Sequence, residues 1–348
     1  MFKKLTALLV VFILFLSACS SSEQPVINEV SSDNEPSSST PSESKPLTAV
    51  NPLTGEDNLA LGKDKDRPVA VMINNLSIAQ KVQAGVAAAD IVYETEVEGG
   101  ITRLMAVYQD ITKVAQIGSV RSARYPYVDL ALGHDAIYIH CGEDPTYCRP
   151  HLNDINHLSI DSDIKGAKRI PNGLASEHTL YALGSDLWST LVSKFRSEKK
   201  DLSPWQNFAQ DKNSIALADG NAKKVTVYLS SNSQCEFTLD NDTKTYVRSI
   251  KGTVRKDHVT GESTKITNLF VLNTTITNYP DNYHRKVALE GGEGYYITNG
   301  TYEKIKWTKG AAQNGFKFTD VAGNEIKLNP GKSWVCLIDK SRTEPVFE

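Results

Sequence analysis

The chain has no Walker loop, no GxGxxG after a strand-like run, no HExxH and no GxSxG. The usual signatures of nucleotide binding, zinc proteolysis and serine hydrolysis are therefore missing. It also has no long apolar run. The longest, Leu5 to Leu16, covers twelve residues, against the ~20 that a membrane-spanning helix needs. Any excess of one charge is small too, with 38 basic against 41 acidic residues. Without Lys3 and Lys4 the basic count falls to 36, a net charge near −5. So mildly acidic a surface argues against nucleic acid as a partner and against a second, electrostatic membrane contact.

What is there begins with the first nineteen residues. Lys3 and Lys4 precede the apolar stretch, and Leu16-Ser17-Ala18-Cys19 closes it. The arrangement reads as a signal peptide, and the tetrapeptide resembles a bacterial lipobox. The expectation is a mature chain that starts at a lipidated Cys19, on the extracytoplasmic face of the cell membrane. Two acyl chains suffice for stable anchoring where one is marginal. Residues 20–49 form a Ser/Pro/Glu-rich tether with few apolar side chains, expected to be disordered.

The fold expected for the rest is α+β. Residues 50–215 alternate strand-like and helix-like patterns, as in a mixed α/β domain. Strands are expected at Pro68–Asn74, Asp90–Val97, Thr102–Gln109 and Ala136–His140, and helices at Ile78–Ala88, Tyr127–Leu132 and around Leu187–Arg196. Residues 222–348 carry short β runs separated by turn residues, which indicates a β-rich second domain. Glu325–Leu328 and Trp334–Ile338 are among those runs.

RPVAVMINN, VYETEVEGGITRLMAVYQ, GSVRSAR and DAIYIHCG resemble the N-terminal domain of the YerB-like lipoproteins. GGEGYYITNGTYEKIKWTKG and EIKLNPGKSWVCLID resemble that family's C-terminal domain. The resemblance implies two domains and an envelope location. It implies no mechanism, because both domains are of unknown function.

Chemistry is concentrated in YETEVEGGITR, residues 93–103. A hairpin turning at Gly99-Gly100 sets Glu98 against Ile101, Glu96 against Arg103 and Glu94 against Met105. Ile91, Tyr93, Thr95 and Val97 then face the core with Thr102, Leu104, Ala106 and Tyr108. The other face holds three carboxylates and one guanidinium. An Arg103–Glu96 cross-strand pair contributes about 0.2–1 kcal/mol and leaves negative charge over, which Arg121 and Arg124 of GSVRSAR are placed to meet. A polar groove lined by Glu94, Glu96, Glu98, Arg103, Arg121 and Arg124 is the candidate site. A solvated hairpin face is the bland alternative.

The second cluster is HCGEDPTYCRPH, residues 140–151. Outside the membrane a Cys141–Cys148 disulfide ranks first, free thiols second and metal a distant third, since Cys-x6-Cys is not a common zinc spacing. His140 ends a buried strand and joins the candidate binding residues, with a structural role as the alternative. Glu177-His178 reads as capping or surface packing. Cys235 and Cys336 lie in separate β runs whose distance the sequence does not reveal. Tyr295, Tyr296, Tyr302 and Trp307 form either a glycan-stacking face or core.

These features point to a lipid-anchored envelope protein that binds a polar cell-wall-type ligand, glycan or peptide. The alternative is a cell-wall hydrolase or transferase with Glu94, Glu96 or Glu98 as acid/base. The expected partners are the membrane, through the lipid on Cys19, and the cell wall. No cofactor, metal or nucleic acid is expected.

Overall fold

The computed structural model describes residues 48–348. The signal peptide, the lipobox with Cys19 and the tether up to residue 47 lie outside the described residues. Thr48 and Ala49, which the sequence places at the end of the tether, instead begin a short strand, Thr48–Val50, paired with Asp57–Ala60.

We number the principal strands in chain order: β1 Val69–Ile73, β2 Ile91–Glu98, β3 Ile101–Tyr108, β4 Ile137–His140 and β5 His157–Ser159. After residue 222 come β6 Lys224–Tyr228, β7 Gln234–Asp240, β8 Thr245–Ile250 and β9 Asn268–Thr274. The last are β10 Gly291–Thr298, β11 Thr301–Thr308 and β12 Ser333–Asp339. The helices are α1, Tyr125–Leu132, and α2, Gly184–Lys194. The fold is α+β, with few helices among the earlier residues and antiparallel strands prevailing later.

A mixed sheet of 11 strands runs through both segments, in the order β11-β10-β9-β12-β2-β3-β1-β4-β5 with two short strands, Gly220–Asn221 and Lys317–Asp320, beside β11. β12, almost the last strand in the chain, lies parallel to β2 and joins the segment before residue 215 to the one after 222. Parallel strands buried on both faces read as continuous apolar runs. Accordingly β1 (VAVMI) and β12 (SWVCLID) are apolar almost throughout and both are buried.

Alternation divides the core into two layers. Val69, Val71, Val92, Leu104, Ile139, Val271 and Trp334 face one way. They are covered by α2 and by a six-stranded sheet containing β6–β8, which contributes Val225, Val227, Phe237 and Tyr246. Met72, Ile91, Tyr93, Met105, Tyr138, Phe270 and Leu337 face the other way, covered by Tyr127, Val128 and Leu130 of α1 and by aromatic residues near β11.

Two expected elements differ. Ile78–Ala88 is not one helix but two 3₁₀ turns, Gln80–Val82 and Val86–Ala88. Gly85, at φ 81°, separates them, and an added Cβ would lie 2.9 Å from the Gln116 carbonyl. Glu325–Leu328 is held by isolated bridges, Thr319 to Glu325 and Phe208 to Leu328, rather than as a strand. In the aromatic face, Tyr296 and Trp307 are buried core residues, while Tyr302 stacks on Phe347.

Candidate functional site

The β2–β3 hairpin turns at Gly99 and Gly100, both at positive φ (50° and 83°). An added Cβ on Gly100 would lie 2.6 Å from the Asn232 side chain, because the tip is docked from beyond residue 222. Ser230 donates to the Gly100 carbonyl and Gly99 N–H donates to the Tyr283 carbonyl. The register differs from the expected one. A bulge between Glu96 and Glu98 shifts the ladder by one, so Glu96 opposes Thr102, Thr95 opposes Arg103, Glu94 opposes Leu104 and Tyr93 opposes Met105. A one-residue slip reverses which side chains share a face. Arg103 therefore meets Glu98, not Glu96.

The three glutamates are not a solvated row. Glu94, Glu96 and Glu98 are 0%, 3% and 4% exposed, and each has its own basic partners. Glu94 lies between the two sheets. It accepts from Asn75 Nδ2 (2.8 Å), Thr102 Oγ1 (3.1 Å) and Arg248 Nη2 (3.2 Å). Arg248 is 1% exposed and lies over the Trp334 ring at 4.5 Å. Burial works to lower the Arg248 pKa, but the Glu94 carboxylate opposes it, and the pKa lies above the ordinary value. Glu96 accepts from Arg285 Nε (2.7 Å), Arg342 Nη2 (3.1 Å) and the Gly100 N–H (3.2 Å).

Glu98 is the centre of a different cluster. Arg103 Nη2 donates to Oε1 at 2.6 Å, and Arg124 donates to Oε2 through Nε (2.8 Å) and Nη2 (2.6 Å). His284 Nε2 lies 3.7 Å from both Glu98 and Asp144, and its Nδ1 lies 2.6 Å from Asp281. Burial works to raise the Glu98 pKa; Arg103 and Arg124 outweigh it and hold the carboxyl below its ordinary value. Arg103 is pulled down to about 10, first by burial and then by Arg124, with Arg121 adding to the effect and Glu98 opposing it.

This cluster occupies a particular edge. β9, β12, β2, β1, β4 and β5 all run in one direction, as their pairings require. Their carboxyl ends form one rim, and ligands of open α/β sheets commonly bind outside such ends. Glu98 ends β2, Asn74 and Asn75 follow β1, His140 to Asp144 end and follow β4, and Arg342 follows β12. Arg121 lies on the same rim, donating its backbone N–H to the Met72 carbonyl, while Cys141 N–H donates to the Arg121 carbonyl. Its guanidinium donates to the Glu177 carbonyl (3.0 Å) and lies 3.6 Å from that residue's carboxylate.

His140 is fully buried, its Nδ1 2.8 Å from the Gly142 carbonyl and its Nε2 3.0 Å from His157 Nδ1. Burial pushes its pKa down to about 4, so the ring is neutral near pH 7. The expected Cys141–Cys148 disulfide is not formed, and both thiols are free. Cys141 packs against the core layer beneath the second sheet, whereas Cys148 belongs to the layer on the other side. Glu177 and His178 touch at 3.1 Å in a 3₁₀ turn, with Asn74 2.8 Å from the other imidazole nitrogen.

Arg248, Arg285, Arg342 and His284 escaped the sequence reading. They pair with the glutamates across separations of 154, 189 and 246 residues for the three arginines. Only Arg248 carried a signal, a charged residue on the inward phase of β8, two positions from buried Tyr246. A cleft of about 760 Å³ opens at the opposite end of the strands, lined by Arg67, His134, Asp135, Arg196, Lys199 and Trp205 among others. None of the glutamates or rim arginines lines it.

Residues 53–198 match the protein of unknown function (DUF3048) N-terminal domain, and residues 225–335 the corresponding C-terminal domain. The chain is 28% identical over 306 residues to "Putative lipoprotein YerB" of Bacillus subtilis (strain 168), covering 86% of this chain and 88% of that one. It superposes on the crystal structure of YerB protein from Bacillus subtilis with a TM-score of 0.73 at 25% identity, over 87% of this chain and 99% of the other. With both domains present in order, the chain belongs to the DUF3048 family of YerB-like proteins.

Proposed function

We propose that the protein is anchored by lipid at Cys19 on the extracytoplasmic face of the membrane, and that its rim binds an anionic cell-wall-type ligand. One arrangement carries the binding site: Glu98 bonds both Arg103 and Arg124 on the rim where Arg121 also lies, and this crowding of guanidinium groups adds to burial, the main cause, in lowering Arg103. An arriving carboxylate or phosphate relieves that crowding, and arginine suits such groups through its planar fork. Glu98 then positions the arginines rather than touching the ligand. Acid/base catalysis by Glu94, Glu96 or Glu98 fits poorly, because arginines already engage all three carboxylates.

Sedimentation with purified peptidoglycan sacculi tests the site. The wild-type protein should co-sediment, and Arg121→Ala and Arg124→Ala should each weaken binding several-fold. Arg121→Ala should leave the melting temperature in place. Unaltered binding by both variants overturns the assignment, and fragments released from the sacculi would favour a hydrolase. Palmitate labelling tests the anchor separately: Cys19→Ala should abolish it.

A further inference from the structure

The interior of the protein contains an arrangement that neither the rim nor the anchor uses. Cys235 of β7 and Cys336 of β12 come from different sheets and face each other across the core layer. Both are 0% exposed and, like Cys141 and Cys148, carry free thiols in this structure. Their sulfur atoms and a Glu94 carboxylate oxygen all lie within 4.8 Å of one another. Cys336 is also the strand partner of Glu94 in the β12–β2 ladder. Arg248, two residues from the end of β8 and paired with Phe237 of β7, closes the group.

A metal ion is the first alternative for two sulfurs and a carboxylate. The charge arrangement speaks against it. Glu94 already accepts from Asn75, Thr102 and Arg248, and the guanidinium places a fixed positive charge beside any cation. Burial, contact with Cys235 and the Glu94 carboxylate all push the Cys336 thiol well above its ordinary pKa, so the thiolate that a metal needs is disfavoured. Oxidation to a disulfide leaves an uncharged group in an apolar layer and requires no change in the Glu94–Arg248 pair.

We propose that Cys235 and Cys336 close to a disulfide when the chain folds outside the membrane, joining β7 of the covering sheet to β12 at the middle of the large sheet. The step is thiol–disulfide exchange with an extracytoplasmic disulfide, either a protein or a low-molecular-weight one. One cysteine thiolate attacks the oxidant, forming a mixed disulfide and releasing one thiol. The second cysteine displaces the other sulfur, so two protons and two electrons leave the pair and two oxidant thiols form. Exchange takes place before β7 docks on β12, while the sulfurs are accessible. Once the sheets are packed, the bond is sealed from reductant. Free thiols persist at Cys141 and Cys148, which lie on opposite sides of the large sheet.

The proposal rests on the extracytoplasmic location and is tested with the full-length lipidated protein, extracted from its own envelope in detergent. Denaturation in N-ethylmaleimide without reductant, followed by proteolysis and mass spectrometry, reads the state of each cysteine. The expected result is one cross-linked peptide pair containing Cys235 and Cys336, with Cys141 and Cys148 alkylated. In the folded protein the bond should resist dithiothreitol and yield to it only after unfolding. Alkylation of both Cys235 and Cys336, pairing of either with another cysteine, or stoichiometric zinc on the reduced pair overturns the proposal. Palmitate labelling on the same sample separates the two premises: labelled protein with both thiols alkylated keeps the location and removes the bond. As a second measurement, reductant present throughout unfolding should lower the melting temperature of the wild type but not of Cys235→Ala/Cys336→Ala.

Discussion

Glu94 and Glu98 stand on one strand and are both buried beside arginine, yet their surroundings differ in kind. Glu94 lies under the covering sheet, where Arg248, Asn75 and Thr102 satisfy it and nothing reaches solvent. Glu98 lies where β2 ends, and the side chains around it, Arg124 and His284, are 13% and 20% exposed. The interior pair ties two sheets together. The rim pair holds guanidinium groups at an edge where a ligand can arrive. Four positions along a strand separate a structural ion pair from a candidate binding site, because the bulge between Glu96 and Glu98 turns Glu98 away from the covering sheet and towards Arg103.

The comparison breaks most decisively at Arg248. Arg248→Ala leaves the Glu94 charge buried without its cation and should cost about 3–5 kcal/mol, read by urea unfolding. Combining Glu94→Gln with Arg248→Met should recover a large part of that loss, since removing both charges removes the desolvation cost. A loss below 1 kcal/mol for the single variant, about the size of an exposed pair, would mean that Glu94 is hydrated.

Acid sharpens the comparison by a second route. His140 on the rim and His134 near the opposite cleft are held neutral by burial, with pKa values near 4 and 3 against the ordinary 6.5. The unfolded chain therefore binds protons that the folded chain does not, and stability falls as pH drops from 6.5 towards 4. Asp90, raised by burial to about 6, opposes this: the folded state holds its proton longer, so its contribution rises as pH falls from 6 to 4. The Glu98 contribution, from a lowered pKa, is kept until pH passes below its unfolded value near ~4.3 and is then lost. His140→Gln should flatten the pH dependence of the unfolding free energy between pH 6.5 and 4, by up to about 3 kcal/mol at ~1.4 kcal/mol per pKa unit, read by urea unfolding at each pH. An unchanged profile would place the acid sensitivity elsewhere.

Glu98→Gln should cost less, on the order of 2 kcal/mol, the range for a hydrogen bond to a charged group. Arg124 is somewhat more exposed than Arg103, 13% against 8%. The variant's distinguishing readout is binding: with the carboxylate gone, the arginines should hold an anion such as phosphate more tightly, whereas Arg248→Ala should not strengthen phosphate binding. Arg121→Ala has the smallest expected effect on stability, within about 0.5 kcal/mol, and should be felt in sacculus binding instead. A large drop in melting temperature would make Arg121 a structural residue.

Local pattern revealed much of the framework. The expected strands at Pro68–Asn74, Asp90–Val97, Thr102–Gln109 and Ala136–His140 each fall within a residue or so of β1 to β4, because apolar runs bounded by polar turns have few other uses. The hairpin at Gly99-Gly100 was legible for the same reason, as two residues at positive φ favour glycine. The bulge was not. Nothing in VYETEVEGG marks Val97 as the extra residue, and the slip moved Arg103 from Glu96 to Glu98. The acids themselves were found, but not their burial, since the residues that cover them lie far along the chain.

What the sequence by itself determined is therefore local: which segments are strands, where the chain turns, and that charged residues cluster in YETEVEGGITR and GSVRSAR. Strand periodicity and glycine geometry act over a few residues and can be read there. Only the tertiary structure decided which arginine serves which glutamate, that Cys235 faces Cys336, and that the segments before 215 and after 222 share a sheet through β12 and β2. Those outcomes depend on the docking of distant strands, where burial turns a charge that would be inexpensive in water into one that must find a partner.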